Sequence, residues 1–314
     1  MIAFGPVPSR RLGHSLGVNN IPPKFCTYSC IYCQIGRTIH KENERREFYK
    51  IDEIIEDVEK KVKEARKRGE EIDYLTFVPD GEPTLDINIG REIEALQSLG
   101  IKIAVITNAS LIWKKDVRDD LHEADWVSLK VDAVSKDIWQ RVDRPHKLLS
   151  LEKILEGMIK FSEIFEGELT TETMLIKGIN GKYEEIEKIA SFLTKIKPYK
   201  SYISIPTRPP AEKWAMPANE SIINMAFQLF DKRGIDVEYL IGYEGNAFAF
   251  TGNIEDDLLS ITSVHPMREE GVKELLKKAD ANWKVVEKLI KEDKLIELEY
   301  QKNKYYMRKI QKLI

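Results

Sequence analysis

The chain has 314 residues, 42% of them hydrophobic and 32% charged, with a formal net charge of −3. That length suits one large domain, or a large domain with a small appendage, and the balanced charge excludes a strongly polyanion-seeking protein or an acidic tail. The opening "MIAFGPVPSRR" lacks the apolar core of a signal peptide, and runs such as "IKIAVI" fall far short of the ~20 residues a membrane span needs, so a reducing cytoplasm is the expected home.

In chain order, residues 1–25 are rich in Pro, Gly and Arg and are expected to form an irregular lead-in, within which "HSLGVNN" is a first short strand. "YKIDEIIEDVEKKVKEARKRG" carries Ile, Val and Ala at helical spacing and ends on Gly, which predicts a helix. Strands are then expected in "YLTFVPDGEPTL", "IKIAVITNAS", "DWVSLKVDA", "ELTTETMLIKGIN" and "SYISIPTRPP". Helices are expected in "INIGREIEALQSLG", "KDVRDDLHEA", "SLEKILEGMIKFSEIF", "YEEIEKIASFLTKI" and "ESIINMAFQLFDKRG". Such alternation implies a parallel sheet with crossover helices; about six units are too few for a complete eight-fold barrel. Chemistry in these folds gathers at the carboxyl ends of the strands, which places the loops "PDGEPT", "TNAS", "KVDA", "KGIN" and "TRPP" on one rim. From residue 254 the pattern changes to short helices followed by two strands around "QKNK". A barrel over 15–253 and a winged-helix-like unit over 254–314 are therefore expected. Abundant Lys, Glu and Ile match the composition associated with thermophiles.

All three cysteines lie in "KFCTYSCIYCQIGRT", as Cys26, Cys30 and Cys33. An odd number argues against a disulfide framework. Small buried thiols are one reading, although the loop is polar and no cysteine occurs elsewhere. A Cys3His zinc site with His14 or His40 is a second. The third is an iron–sulfur cluster held at three corners, leaving one iron open to bind something else.

"CTYSCIYC" resembles the cluster loop of the radical S-adenosylmethionine superfamily, C-x3-C-x-aromatic-C, with Tyr32 at the aromatic position. "GPVPSRRLGHSLGVNNIPPKFCTYSCIYCQIGRT" and "PDGEPTLD" look like the group related to archaeal wyosine synthases, which modify a tRNA guanine. The resemblance implies a partial (β/α)6 barrel, a [4Fe–4S] cluster on Cys26, Cys30 and Cys33, and S-adenosylmethionine on the open iron. It also implies an oxidoreductase-like radical enzyme that cleaves this cofactor to a 5′-deoxyadenosyl radical, fed by an electron donor such as ferredoxin or flavodoxin. Wyosine-type enzymes use further cysteines for a second cluster, which this chain lacks.

Tyr32 would lie near the cofactor's adenine. Asp80, Gly81 and Glu82 stand where the superfamily has Gly-Gly-Glu, so Glu82 is expected to meet the cofactor's amino group, and Asp80 departs from the pattern. Asn108 ends its strand and either contacts the cofactor or caps the turn. Ser128, Lys130 and Asp132 share one strand face by period-two alternation. Ser128 and Lys130 are candidates for ribose and carboxylate, with Asp132 the expected partner of an otherwise costly inward lysine. Arg10, Arg11, Arg208, Glu244 and Asn246 are candidates for an anionic-substrate pocket, since Arg suits carboxylate and phosphate. His146 and His265 each sit beside a proline and are expected only to satisfy local hydrogen bonds. Residues 255–314 hold thirteen Lys plus Arg against twelve Asp plus Glu. The locally basic "KNKYYMRK" therefore leaves nucleic-acid contact and barrel capping both open.

Overall fold

The computed structural model describes residues 2–242 and 245–309. The elements run β1 (Ala3–Ser9), β2 (Gly13–Val18), β3 (Phe25–Cys26), β4 (His40–Lys41), α1 (Ile51–Lys67), β5 (Tyr74–Phe77), α2 (Ile89–Gln97), β6 (Lys102–Thr107) and α3 (Lys115–His122). They continue as β7 (Trp126–Lys130), α4 (Lys136–Val142), α5 (Leu151–Ser162), β8 (Glu168–Met174), α6 (Tyr183–Ile196), β9 (Lys200–Ser204), α7 (Glu220–Lys232) and β10 (Val237–Leu240). The last segment holds α8 (Ile254–Val264), β11 (Met267–Arg268), α9 (Glu269–Lys278), α10 (Lys284–Lys291), β12 (Leu295–Tyr300) and β13 (Asn303–Arg308).

One sheet of order β1-β2-β5-β6-β7-β8-β9-β10 organises the chain. All its pairings are parallel except β1 with β2. The six expected strands are present, but the sheet is larger than six. Two strands were not foreseen: β10 at one edge, and β1 inside the segment expected to be irregular. β1 carries Gly5, Pro6 and Pro8, and its ladder slips between Phe4 and Val7; an edge strand tolerates proline because half its N–H groups need no ladder partner.

Period-two alternation divides the strands between two environments. Leu75, Phe77, Ile103, Val105, Val127, Leu129 and Ile203 join Ile54, Val58, Ile93, Met158, Ile189 and Leu193 of the helices in the main core. α1 follows from this demand: Ile54, Val58, Val62 and Ala65 make its buried stripe, and Asp52 with Glu53 and Arg66 with Lys67 suit its two dipole ends. On the opposite face Leu12, Ala104, Trp126, Tyr202 and Leu240 form a second apolar cluster that floors the curled sheet. The curl is visible in one side chain. Arg11, in the β1–β2 turn, reaches within 5.7 Å of the Trp126 ring on β7 and 5.8 Å of the Tyr202 ring on β9.

The last segment forms three helices with an antiparallel sheet of order β11-β13-β12, its hairpin turning at Gln301 and Lys302 in the left-handed region. Its core, including Leu258, Ile261, Met267, Leu275, Val286 and Tyr306, also takes in Phe4 and Val7 of β1 and Phe248. No helix among the described residues is long and apolar enough to cross a membrane.

Candidate active site

The cysteine loop leaves β2 and is pinned from several sides by backbone hydrogen bonds. Ser29 N donates to Asp143 O at 3.0 Å, Ile31 N to Val142 O at 2.9 Å, and His146 N to Thr27 O at 2.8 Å. Beneath it passes the turn after β5. Glu82 N donates to Phe25 O at 3.1 Å, and a Cβ on Gly81 would stand 1.7 Å from that same oxygen. Glycine is needed at 81 because two backbones touch there. Gly81→Ala should therefore displace Phe25 and its neighbour Cys26, costing about 1–3 kcal/mol in thermal unfolding together with most of the iron taken up anaerobically. Gly242→Ala, with no atom of the described residues within 4 Å beyond its chain neighbours, should melt and load like wild type.

All three cysteines are free thiols that line a cavity of about 320 Å³. Burial pushes the Cys26 thiol up to about 12, with Glu82 adding to the effect. Burial and then Asp143 raise Cys30, while burial raises Cys33 against the opposing pull of Lys24. Two side chains reach the sulfurs: Asn108 Nδ2 donates to Cys26 Sγ at 3.5 Å, and Cys30 Sγ donates to Asp143 Oδ1 at 3.5 Å. Lys24 is only 7% exposed, and its ammonium has no hydrogen-bond partner among the described residues. Burial lowers its pKa, and Cys33, Asp80 and Cys26 are the groups that resist.

Around the same cavity the structure gathers Tyr32, Gly81, Glu82, Asn108, Lys130, Arg10, Arg11 and Arg208. Glu82 is at the wall, yet its carboxylate is already held by Thr84 N at 3.1 Å, Thr84 Oγ1 and Thr107 Oγ1 at 2.6 Å, and Asn108 N at 2.8 Å. Tyr32 donates its hydroxyl to Asp132, which also accepts from Met174 N at 2.6 Å. Lys130 makes its ion pair with Glu172 at 2.7 Å, while the expected Asp132 attracts it electrostatically without forming that pair, and its ammonium lies 5.1 Å from the Tyr32 ring centre. Glu172 also takes Arg11 at 2.7 Å and Ser204 Oγ at 2.8 Å. Burial alone would push the Glu172 carboxyl up, but Lys130 and Arg11 together hold it well below the usual carboxylate range. Arg10 donates to Leu240 O at 3.2 Å, and Arg208 to Gln34 Oε1 at 2.7 Å.

Other candidates lie elsewhere. The Asp80 side chain is not among the cavity-lining groups, and burial raises its carboxyl to about 7. Ser128 shares the inward face of β7 but is not part of the cavity wall either. Asn246 bonds Glu274 at 2.9 Å, away from the cavity, and Glu244 falls outside the described residues. Neither candidate zinc histidine joins the thiols. The His40 ring stacks on Phe25 at 4.3 Å, and His14 faces Asp73 at 3.3 Å beside the start of β5. Among the described residues no three His, Cys, Asp or Glu side chains are gathered to hold a single metal ion. Glu172, Lys24 and Asp143 were not anticipated. For Glu172 the signal existed, since alternation in "ELTTETM" turns Thr170, Glu172 and Met174 to one face.

The radical SAM superfamily model matches residues 20–193, more than half of the chain and the span from cysteine loop to α6. The chain belongs to the radical SAM superfamily. UPF0026 protein MJ1312 of Methanocaldococcus jannaschii is 52% identical over 311 residues, 98% of this chain and 96% of that protein. A radical SAM methyltransferase from Sphaerobacter thermophilus matches the fold with a TM-score of 0.54 at 17% identity, over 72% of this chain and 66% of that one. SuiB of Streptococcus suis bound to S-adenosylmethionine matches with a TM-score of 0.52 at 15% identity, over 71% of this chain and 49% of that one. Radical SAM membership implies a [4Fe–4S] cluster and S-adenosylmethionine, and this site fits an anionic cluster. Three thiols line one cavity, and a buried ammonium with no hydrogen-bond partner among the described residues, costly as it stands, would gain an acceptor from ligated sulfur.

Proposed function

We propose that the chain uses Cys26, Cys30 and Cys33 to hold a [4Fe–4S] cluster and acts as a radical SAM enzyme on an anionic substrate. The observation that carries this is that all three cysteines of the chain line a single cavity. A cluster bound there supplies one electron that splits S-adenosylmethionine into methionine and a hydrogen-abstracting 5′-deoxyadenosyl radical. The chain's own groups hold, orient and exclude water. Asn108 offers an N–H donor to the Cys26 sulfur, the Lys24 ammonium is attracted electrostatically by Cys33 and Cys26, and Gly81 lets the β5 turn close against the loop. Glu82, satisfied by Thr84, Thr107 and Asn108, stiffens the strand ends rather than offering a free carboxylate. In this reading Lys130 and Tyr32, both lining the cavity, would meet the cofactor's carboxylate and adenine.

Arg10, Arg11 and Arg208 line the cavity with Lys130, and Glu172 is the acid they share it with besides Glu82. Their excess of positive charge suits a carboxylate- or phosphate-bearing substrate. The segment from residue 254 reads best as a winged-helix-like cap. Gln34 Nε2 donates to Val264 O at 2.9 Å, Tyr305 to Thr207 O at 2.9 Å, and Tyr300 to Pro206 O at 3.1 Å. Those tyrosines are engaged at the rim, which favours capping over base stacking and leaves a wyosine-type RNA reaction the weaker reading. Anaerobic reconstitution tests the proposal. Iron and sulfide near four each per chain and 5′-deoxyadenosine formed on reduction are expected; zinc uptake without cofactor cleavage would refute it.

A further inference from the structure

Two charged side chains sit beside the cysteine loop without lining the cavity, so neither is offered to a cofactor or substrate there. Lys24 is 7% exposed and Asp80 2%, and among the described residues neither the Lys24 ammonium nor Asp80 Oδ1 has a hydrogen-bond partner. Burying a charge without satisfying it costs free energy, so two such groups kept side by side call for a reason. Asp80 also stands where the superfamily pattern has glycine.

The backbone of Lys24 is held on both sides. Its N–H donates to Asp80 O at 2.7 Å, and its carbonyl accepts from His40 N at 3.0 Å and Ile39 N at 3.3 Å. At φ 70° the residue occupies the left-handed region, uncommon for anything but glycine. Strain of this kind persists where surrounding contacts enforce it, and here it accompanies a side chain that runs to the turn after Cys33. That turn is closed by Gly36 N donating to Cys33 O at 3.1 Å, and a Cβ on Gly36 would lie 3.5 Å from Lys24 Nζ. The ammonium therefore ends against the segment that carries the third sulfur. Burial works against its charge, and Cys33, Asp80 and Cys26, in that order, support it. Asp80 in turn is acted on by Lys24 and by Arg308 of β13.

We infer that the buried ammonium of Lys24, with Asp80 as its counter-charge, offsets the negative charge that the three-cysteine site gains on reduction and so sets how readily the electron is accepted there. The inference rests on the cluster reading above. The step is the transfer of one electron from an external one-electron reductant: the reductant is oxidised, the site becomes more negative by one charge, no bond forms or breaks, and no proton moves. A fixed cation in a poorly solvated setting favours the more negative state, and net charge near the sulfurs is one of the levers by which a protein sets a cluster's potential. Asp80 is the acid that compensates the ammonium in the absence of a cluster, which gives its place in the glycine position a physical reason.

The test is a mediator-coupled redox titration of the reconstituted full chain, read by the spin signal of the reduced cluster. It is run at about pH 8.5, where Asp80, raised by burial to about 7, is ionised. Lys24→Met, similar in length and uncharged, should lower the reduction equilibrium constant at least tenfold, ~59 mV for a one-electron couple. Asp80→Asn keeps Lys24, which the ligated sulfurs hold charged, and removes the opposing charge; it should raise the constant by roughly threefold or more. Opposite signs follow from charge and not from lost packing. If Lys24→Met takes up no iron, Asp80→Asn decides: a raised constant supports the assignment, and an unmoved or lowered one overturns it. Constants unmoved in both variants, or moved in one direction, overturn the role of Lys24 and leave the cluster reading intact. Wild-type protein that takes up no cluster overturns both.

Discussion

Cys30→Ala is expected to lose essentially all reductive cleavage of S-adenosylmethionine and most of its iron, with the fold intact. Two thiols left at the wall cannot hold three corners of a cluster, and members of a unit fail together rather than in proportion. The thiol is half-buried at the margin of the main core and donates to Asp143 Oδ1 at 3.5 Å. Removing one sulfur should therefore change stability by no more than about 1 kcal/mol. Iron analysis, anaerobic absorbance and 5′-deoxyadenosine formation, read beside a melting curve, separate loss of ligand from loss of fold. A variant that keeps wild-type iron and turnover would falsify the assignment of Cys30 as a ligand.

The second large effect concerns the acid between two cations. Glu172→Ala removes the carboxylate that faces both Lys130 and Arg11 at 2.7 Å, inside the curl of the sheet. Leaving partly buried charges uncompensated costs about 3–5 kcal/mol, far more than the intact pair contributes. Glu172→Gln, which keeps the shape and can still accept from Ser204, should lose less. The pH dependence has a definite sign. Because the folded chain keeps Glu172 ionised where the unfolded chain has already protonated it, the stabilisation is whole above the usual carboxylate pKa of 4.5 and is lost as pH falls below it. Urea unfolding should show the gap between wild type and Glu172→Gln narrowing from about pH 6 toward pH 3. A gap that widens in acid would contradict the assignment of Lys130 and Arg11 as its partners.

Much of this site is written in local patterns. Alternating strand and helix periodicity turns "PDGEPT", "TNAS", "KVDA" and "TRPP" toward the cavity, though not "KGIN", and clustered cysteines single out the loop that faces it. Period two also turned Lys130 inward. Depth along a strand is not encoded in that period. Ser128 shares the face of Lys130 and of the floor residue Trp126, but it stays out of the cavity wall. Pairing across strands is equally silent, which is why Lys130 was matched with Asp132 on its own segment instead of Glu172 on the neighbouring strand. Lys24 reads in isolation as an ordinary surface lysine; only the packing of the loop over it shows that its ammonium is enclosed. β1 hid behind its prolines. β10 is four residues of mostly half-buried or exposed character, and α4 a seven-residue helix, too short for a clear amphipathic signal.

Phe4 and Val7 have a consequence for how the molecule is put together. They belong to the first strand, yet they are sheltered by helices more than 250 residues later. The first strand and the segment after residue 253 therefore share one core, and excising that segment would not yield a bare barrel. It would strip an edge of its cover and leave a sticky, self-associating remnant.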